Sequence, residues 1–188
     1  MKRFIQYLEN NITGRKVLVL FVITNLVYAY MVAVTIPKTM AYANGMKLLD
    51  MMPTGYDYDY VVDLFNNLGA EGRNVYLTNQ IPVDMVYPFL FGVTYCFILG
   101  FFLKKLNKLK PPFVLLCVLP IIAGIADYLE NFGIITLLNT YPDLTQLEVK
   151  ITMLSSLIKS ISTSIYFVSL IGILLALGVK TIFKSKKI

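Results

Sequence analysis

Four long apolar stretches restrict the fold of this chain more than any other feature of its sequence. They cover about residues 17–37, 81–103, 113–138 and 151–179. A helix needs about 20 mainly apolar residues to cross the hydrocarbon core of a bilayer, so each stretch is long enough to span a membrane. Only 15% of the residues are charged, whereas soluble domains carry about 25%. We therefore expect an all-α integral membrane protein, with a single domain built as a bundle of four transmembrane helices.

The basic residues indicate how the four spans are oriented. They cluster in residues 2–16, 104–110 and 180–187, which are terminal segments or the connection between the second and third spans. Cytoplasmic segments of membrane proteins carry an excess of Lys and Arg. We therefore predict a multi-pass protein of the cell membrane with both termini in the cytoplasm. The net charge of +6 follows from this topology, and we expect no nucleic-acid partner.

Residues 38–80 form the longest polar segment, and their pattern is helical. In the stretch 57–67, apolar residues recur at the spacing of an amphipathic helix. Gly69 follows at a position typical of a helix C-terminal cap, and residues 70–79 suit a second short helix. On the predicted topology this segment lies outside the cell. We expect a helical extracytoplasmic cap between the first and second spans, and not a separate domain.

Ionisable side chains interrupt three of the apolar stretches at a common depth. Asp127, Glu130 and Asn131 share one face of the third span, because residues three and four apart are neighbours on a helix. Lys159 lies roughly 10–12 Å inside the fourth span at 1.5 Å per residue, and Asp84 lies near the outer end of the second. A charge at mid-bilayer costs roughly 2.5–3.5 kcal/mol, so such groups face other helices or a wet cavity. We predict that these five residues form a ligand-binding or acid–base site in the outer half of the bundle.

Five further residues are predicted to support this site. They are Arg73, Tyr76, Tyr87, Tyr166 and Asn25. The first three continue the helical face of Asp84, the fourth continues that of Lys159, and the last lies midway along the first span. At that position the asparagine is equally suited to line the site or to bond a neighbouring helix. Pro88 has no N–H to offer the Asp84 carbonyl four residues earlier, which predicts a local opening of the second span.

Other interpretations of the residues in these spans are open at this stage. Lys159 could extend its ammonium group to the membrane surface along its flexible stem. Asp84 and Glu130 could contact only water at the interface. An ion pair of Lys159 with Asp127 or Glu130 could serve only to set the register of two helices. The small residues Ala123, Gly124 and Ala126 most simply indicate close packing of the third span on a neighbour.

Several classes of site are excluded or disfavoured by residues that the chain lacks. The absence of His removes His-ligated metal sites and the Ser-His-Asp triad. Cys96 and Cys117 lie in apolar runs without a Cys-x-x-Cys spacing and are best interpreted as small apolar side chains. There is no phosphate-binding glycine loop or nucleophile elbow. We therefore expect no metal and no cofactor.

The pattern of Gly72-Arg73, Tyr76, Asp84, Tyr87-Pro88, Asp127 and Glu130-Asn131 resembles a family of small four-span bacterial membrane proteins that are uncharacterised. The resemblance covers most of the chain and implies no activity. The overall layout also resembles the emopamil-binding and sigma-2-receptor-like (EXPERA) family. That likeness implies spans that enclose an acidic pocket for sterol-like ligands, in a family with some sterol isomerases. The absence of His and Trp departs from the isomerase pattern, and the analogy is one of fold.

Three classes of function fit these observations, and a purely structural role as a subunit is a fourth that stays open. The first is a protein that binds a membrane lipid or amphipathic small molecule in an outward-opening pocket, with its acids on a polar or cationic head. The second is a lipid- or isoprenoid-modifying enzyme that uses intramembrane carboxyls such as Asp127 or Glu130 as general acid or base. The third is a small transporter coupled to protons or ions. Four spans are few for a monomeric transporter, so this class predicts a homo-oligomer.

Overall fold

The computed structural model describes residues 1–185, which form helices and connecting loops and no strands. Four helical segments in this part of the chain are long and apolar enough to cross a membrane: Gly14–Met40, Tyr58–Leu106, Phe113–Thr140 and Gln146–Phe183. They contain the four predicted spans. The predicted basic tail is only partly covered, because Lys186 and Lys187 lie outside the described residues.

Residues 1–185 contain eight α-helices, joined in places by tighter or wider helical turns. The α-helices are α1 (Lys2–Asn11), α2 (Gly14–Tyr30), α3 (Ile36–Met40), α4 (Tyr58–Val75), α5 (Ile81–Asp84), α6 (Tyr87–Leu106), α7 (Leu119–Thr140) and α8 (Gln146–Ser185). The segments Met31–Thr35 and Tyr76–Gln80 are π-helical, and the segments Leu49–Met51 and Phe113–Val118 are 3₁₀-helical. Each π segment continues the helix before it into the next one.

The helix α4 of the cap begins and breaks at the residues predicted from the sequence. The Asp57 carboxylate accepts a hydrogen bond of 2.8 Å from the Tyr60 N–H, which satisfies an otherwise free donor at the start of α4. Gly69 has φ 62°, a left-handed conformation that divides α4 into two helices. The second of these runs through Tyr76–Gln80 into α5, so the cap and the second span are continuous. Hydropathy alone places the start of that span at residue 81, because the helix before it is polar.

The four long segments pack in an open order. α2 packs on α6, α6 on α7, and α7 on α8, whereas α2 and α8 do not pack closely against each other. The cap covers one end of this array, where its apolar side chains form a core with α7 and the start of α8. We call this the cap end. α1 closes the opposite end, where Leu8 and Ile12 are buried against Leu99 and Leu103 of α6.

The basic clusters meet at the end opposite the cap. The Lys104 Nζ donates to the Glu9 carbonyl of α1 at 2.8 Å. The Lys180 Nζ of α8 donates to the Lys105 carbonyl at 3.1 Å. The N-terminal helix, the connection after α6 and the last turns of α8 therefore lie together, as the distribution of charge predicted. We call this the basic end.

Glycine permits the closest approach between α6 and α7. A Cβ atom on Gly124 would lie 2.6 Å from the Pro88 carbonyl oxygen, and one on Gly92 would lie 3.3 Å from that of Pro120. Small residues let helix backbones approach in this way. The crossing places Asp127, one turn after Gly124, beside the start of α6. The sequence prediction that Gly124 marks close helix packing is confirmed.

We predict that Gly124→Ala destabilises the protein, because the new methyl group would contact a backbone oxygen that cannot move independently of its helix. Overpacking of this kind costs about 1–3 kcal/mol. Gly172→Ala in α8 is the matched control, since a Cβ there meets no atom within 4 Å. It should leave stability unchanged or raise it by up to about 1 kcal/mol. Thermal unfolding of both variants in detergent measures the difference, and equal melting temperatures would contradict the tight crossing.

Candidate functional site

A cavity of about 730 Å³ lies between α2 and α8 and is backed by α6 and α7. Its polar lining includes Asp84, Asp127 and Lys159 of the predicted site, together with Asn25 and with Asp50 from the 3₁₀ turn of the cap. Five aromatic residues belong to the rest of its lining. The cavity therefore collects side chains from five separate parts of the chain, and three of the five predicted site residues line it directly.

Lys159 is held by two carboxyl groups of α7. Its Nζ lies 3.1 Å from the Asp127 Oδ1 and also contacts the Glu130 Oε2. Glu130 is fully buried, and 20% of the Lys159 side chain is exposed, on the cavity side. The interpretation in which Lys159 extends to the membrane surface is therefore wrong, and the ion pair is present. Ser155, Ser162 and Tyr166 lie on the same face of α8 and are buried.

Asn131 supports the opening that Pro88 creates. α5 ends at Asp84 and α6 begins at Tyr87, so the helical hydrogen bond to the Asp84 carbonyl is missing. The Asn131 Nδ2 donates to that carbonyl at 3.2 Å. A buried carbonyl without a partner would be costly, and the amide of α7 removes this cost. Asn131 therefore joins α7 to the break between α5 and α6 and does not line the cavity.

The Asp84 carboxyl group is buried yet free of hydrogen bonds from the described residues. Only 4% of Asp84 is exposed, and its side chain lines the cavity. The interpretation in which Asp84 contacts only interfacial water is wrong, and full burial of Glu130 rules out the same interpretation for that residue. A buried carboxyl group that faces a cavity and has no donor among residues 1–185 can bind a donor or a cation from a ligand.

Asp50 is a cavity residue that the sequence analysis missed. Its Oδ1 accepts from the Tyr76 hydroxyl at 2.6 Å, and its Oδ2 accepts from the Gln80 Nε2 at 3.0 Å. The Thr35 hydroxyl in turn donates to the Gln80 Oε1. Thr35 and Gln80 belong to the two π segments, which are often found at functional sites. The only available signal was a lone acid inside the apolar run Leu48–Met52.

The polar part of the cavity has an excess of acid. Asp50, Asp84 and Asp127 line it, and Glu130 lies behind Lys159, which is the one basic residue in the lining. Four carboxyl groups thus share one ammonium group. An opposite charge or a set of hydrogen-bond donors would stabilise them, because like charges in a low-dielectric site repel strongly.

Aromatic rings form the wall that continues from the acids. Tyr87 stacks on Tyr28 of α2 with ring centroids 5.6 Å apart and on Phe91 at 5.8 Å. Phe91 stacks on Tyr95 at 4.6 Å, and Phe167 of α8 lies edge-on to Tyr95. The row runs along two turns of α6 away from Asp84. One cavity therefore has an acidic end and an aromatic end, and Ser160, Thr163 and Ser164 of α8 also belong to its lining.

The supporting residues divide into those that line the cavity and those that do not. Tyr87 and Asn25 line it, and the Asn25 Nδ2 bonds the Phe21 carbonyl of its own helix at 2.7 Å. Tyr76 lies behind the lining and holds Asp50. Tyr166 donates to the Tyr95 carbonyl at 2.9 Å, which is a helix-to-helix bond away from the cavity.

Arg73 is placed in the cap, so its predicted support of the site is not realised by direct contact. Its Nη1 donates to the Phe65 carbonyl at 2.7 Å, and its guanidinium group lies over the Tyr141 ring at 4.5 Å. The π segment Tyr76–Gln80 lies between Arg73 and Asp84. A π turn holds more residues than an α turn, so it rotates the helix before it relative to the helix after it. The spacing of three and four residues, which placed Arg73 on the helical face of Asp84 in the sequence analysis, therefore does not apply across this segment.

The chain matches no known family model, no curated protein and no solved structure. The resemblances drawn from the sequence stay predictions. Within residues 1–185, no group of three or more Asp, Glu or Cys side chains is arranged to hold a metal ion. The function must therefore be inferred from the geometry of the cavity.

We predict that Lys159→Met destabilises the protein, because it leaves Asp127 and Glu130 buried without a counter-charge. Breaking a buried ion pair costs about 3–5 kcal/mol. Adding Glu130→Gln should restore part of the loss, since it removes one of the unpaired carboxylates. Lys150→Met, on the exposed surface of the same helix, is the control and should be nearly neutral. A double-mutant cycle followed by thermal unfolding measures the coupling. Additivity of the two substitutions within about 0.5 kcal/mol, as found for independent sites, would contradict it.

Proposed function

We propose that this chain is an integral protein of the cell membrane that binds an amphipathic or lipidic small molecule. The four candidate spans form its bundle, the cap lies outside the cell, and both termini lie in the cytoplasm. The observation that carries the ligand proposal is that one and the same cavity has Asp50, Asp84 and Asp127 at one end and an aromatic row at the other. A polar head, cationic or rich in donors, binds at the acids, and an apolar tail lies along the rings.

The size and position of the cavity support this proposal. Sites for small molecules usually measure about 300–1,000 Å³ and have mostly apolar walls with a few polar groups that orient the ligand. The cavity of about 730 Å³ lies in this range. It also lies between α2 and α8, the two long helices that do not pack closely on each other. A ligand dissolved in the bilayer can reach it from the side, without crossing the polar cap.

Acid–base catalysis on a bound lipid is a second candidate, favoured by the Asp84 carboxyl group. It is buried beside the cavity without a hydrogen bond from the described residues, as a general acid or base that acts on a ligand would be. Asp84→Asn separates the candidates. A catalytic role predicts that this variant binds the lipid and leaves it unchanged, whereas a binding role predicts that affinity falls.

Dodecylamine and dodecanol have the same tail and different heads, so they test the acidic end of the cavity directly. We predict that dodecylamine binds about tenfold or more tightly than dodecanol, because a hydrogen bond to a charged group contributes about 1.5–3 kcal/mol. Thermal-shift titration in a neutral maltoside detergent measures both affinities. Asp84→Asn should reduce the preference, and Asp63→Asn, on the exposed face of α4, should retain it. Equal affinity for both probes in the wild type would contradict a carboxyl-lined head site.

The orientation is tested by labelling a single cysteine from outside the cell. Cys96 and Cys117 are buried, so an introduced cysteine is the accessible one. We predict that Asn107→Cys at the basic end is protected from a membrane-impermeant maleimide in intact cells and is labelled after permeabilisation. Thr54→Cys at the cap end is exposed and should be labelled in intact cells. The reverse pattern would show that the basic end faces outward.

A further inference from the structure

A second cavity lies on the other face of the α6 and α7 pair. It measures about 300 Å³ and is lined by apolar side chains of α6 and α7 and by Phe4, Tyr7 and Leu8 of α1. It shares no lining residue with the polar cavity. We call it the outer groove. Its residues contribute nothing to the head site described above, so its shape needs a separate explanation.

The groove exists because side chains are missing at the helix crossing. Gly92 and Gly124 line it, and the backbones of α6 and α7 form its floor there. Along α6 its lining runs from Pro88 to Phe97, a length of about 14 Å at 1.5 Å per residue. α1 closes the end of the groove that is nearer the basic end, since Leu8 and Ile12 pack onto α6 near Gly100. The groove is thus a narrow channel along the helices that ends at α1.

The closed end of the groove lies at the basic end of the molecule. Residues 1–16 and 104–112 contain eight basic residues and one acidic residue, Glu9. Arg3 directly precedes Phe4, which lines the groove. Lys104 follows Phe97 by seven residues, two turns further along the same face of α6, and its Nζ contacts α1 at the Glu9 carbonyl. An anionic group at this end of the groove would therefore meet positive charge from two helices.

We propose that the outer groove binds one acyl chain of an anionic phospholipid, with the headgroup phosphate at the basic end. The positive charge at the basic end favours an anionic head, and the apolar lining of the groove favours a hydrocarbon chain. The groove is also narrow, because its volume of about 300 Å³ extends along about 14 Å of helix, and this shape suits one hydrocarbon chain. This proposal rests on the membrane location proposed above, and not on the ligand of the polar cavity.

Native mass spectrometry of the full chain in maltoside micelles tests the proposal with two lipids of equal chain length. These are dioleoyl-phosphatidylglycerol, which is anionic, and dioleoyl-phosphatidylcholine, which is zwitterionic. We expect one phosphatidylglycerol to bind at least fivefold more tightly than phosphatidylcholine. Arg3→Gln should weaken phosphatidylglycerol binding about fivefold, the effect of one basic residue near an anionic headgroup. Lys47→Gln, an exposed basic residue of the cap, should leave it unchanged.

A large side chain placed inside the groove, compared with one placed outside it, tests whether the lipid binds in the groove. Ile125 lines the groove and is 58% exposed, and Ile171 on α8 is 57% exposed and lines neither cavity. Ile125→Trp should abolish the preference for phosphatidylglycerol, and Ile171→Trp should retain it. Val93→Trp fills the same groove from α6 and replaces Ile125→Trp if that variant does not fold. Asp84→Asn should retain the preference, so a failure of the polar cavity as a ligand site leaves this result intact.

Three outcomes would overturn the proposal. Equal binding of the two lipids by the wild type would mean that the groove does not select an anionic head. Loss of the preference in Ile171→Trp as well as Ile125→Trp would mean that contact with lipid is general over the surface. A dimer mass that disappears in Ile125→Trp alone would mean that a second copy of the chain occupies the groove.

Discussion

The contact of one ammonium group with two carboxylates determines how α7 and α8 are placed. Asp127 and Glu130 lie on the same face of α7, and Lys159 must reach both from α8. A buried charge without its partner costs about 3–5 kcal/mol, so this requirement constrains the rotation of α8 about its axis. The same rotation directs Ser156 to the Met52 carbonyl of the cap at 3.4 Å. The ion cluster thus holds α7 and α8 together and orients the helix that carries one wall of the cavity.

Pro88 links this cluster to the opposite face of the α6 and α7 pair. Its missing N–H leaves the Asp84 carbonyl free for Asn131, the neighbour of Glu130. Its own carbonyl lies so close to α7 that position 124 has no room for a side chain. One residue therefore opens the helix beside the polar cavity and brings the backbones together beneath the outer groove. The two cavities are separate in lining, but both depend on the same crossing.

Regular helices made the central residues predictable from the sequence. The positions of Asp84, Asp127 and Lys159 follow from counting residues along apolar runs, because rise and rotation per residue are constant in an α-helix. Prediction failed where this regularity ends. The π segment Tyr76–Gln80 changed the phase between Arg73 and Asp84. Asp50 lies in a loop whose path depends on the packing of the cap, and no local spacing relates it to the other acids.

A polar residue on a predictable face can also have a purely structural role. Tyr166 lies on the face of Lys159, as its spacing predicted, yet its hydroxyl bonds the Tyr95 carbonyl and does not reach the cavity.

The two walls of the cavity are held by interactions of different strength. The α8 wall is held by the ion cluster, whose disruption costs about 3–5 kcal/mol. On the α2 wall, neutral hydrogen bonds of threonine hydroxyls hold the helix, including those of Thr24 with Thr94 of α6 at 2.7 Å and of Thr35 with Gln80. Neutral hydrogen bonds contribute about 0.5–1.5 kcal/mol each. Asn25, Tyr28 and Val32 line the cavity between these two contacts. We therefore expect that displacing this part of α2 costs less than displacing α8, and that a ligand of the proposed kind would enter the cavity past α2.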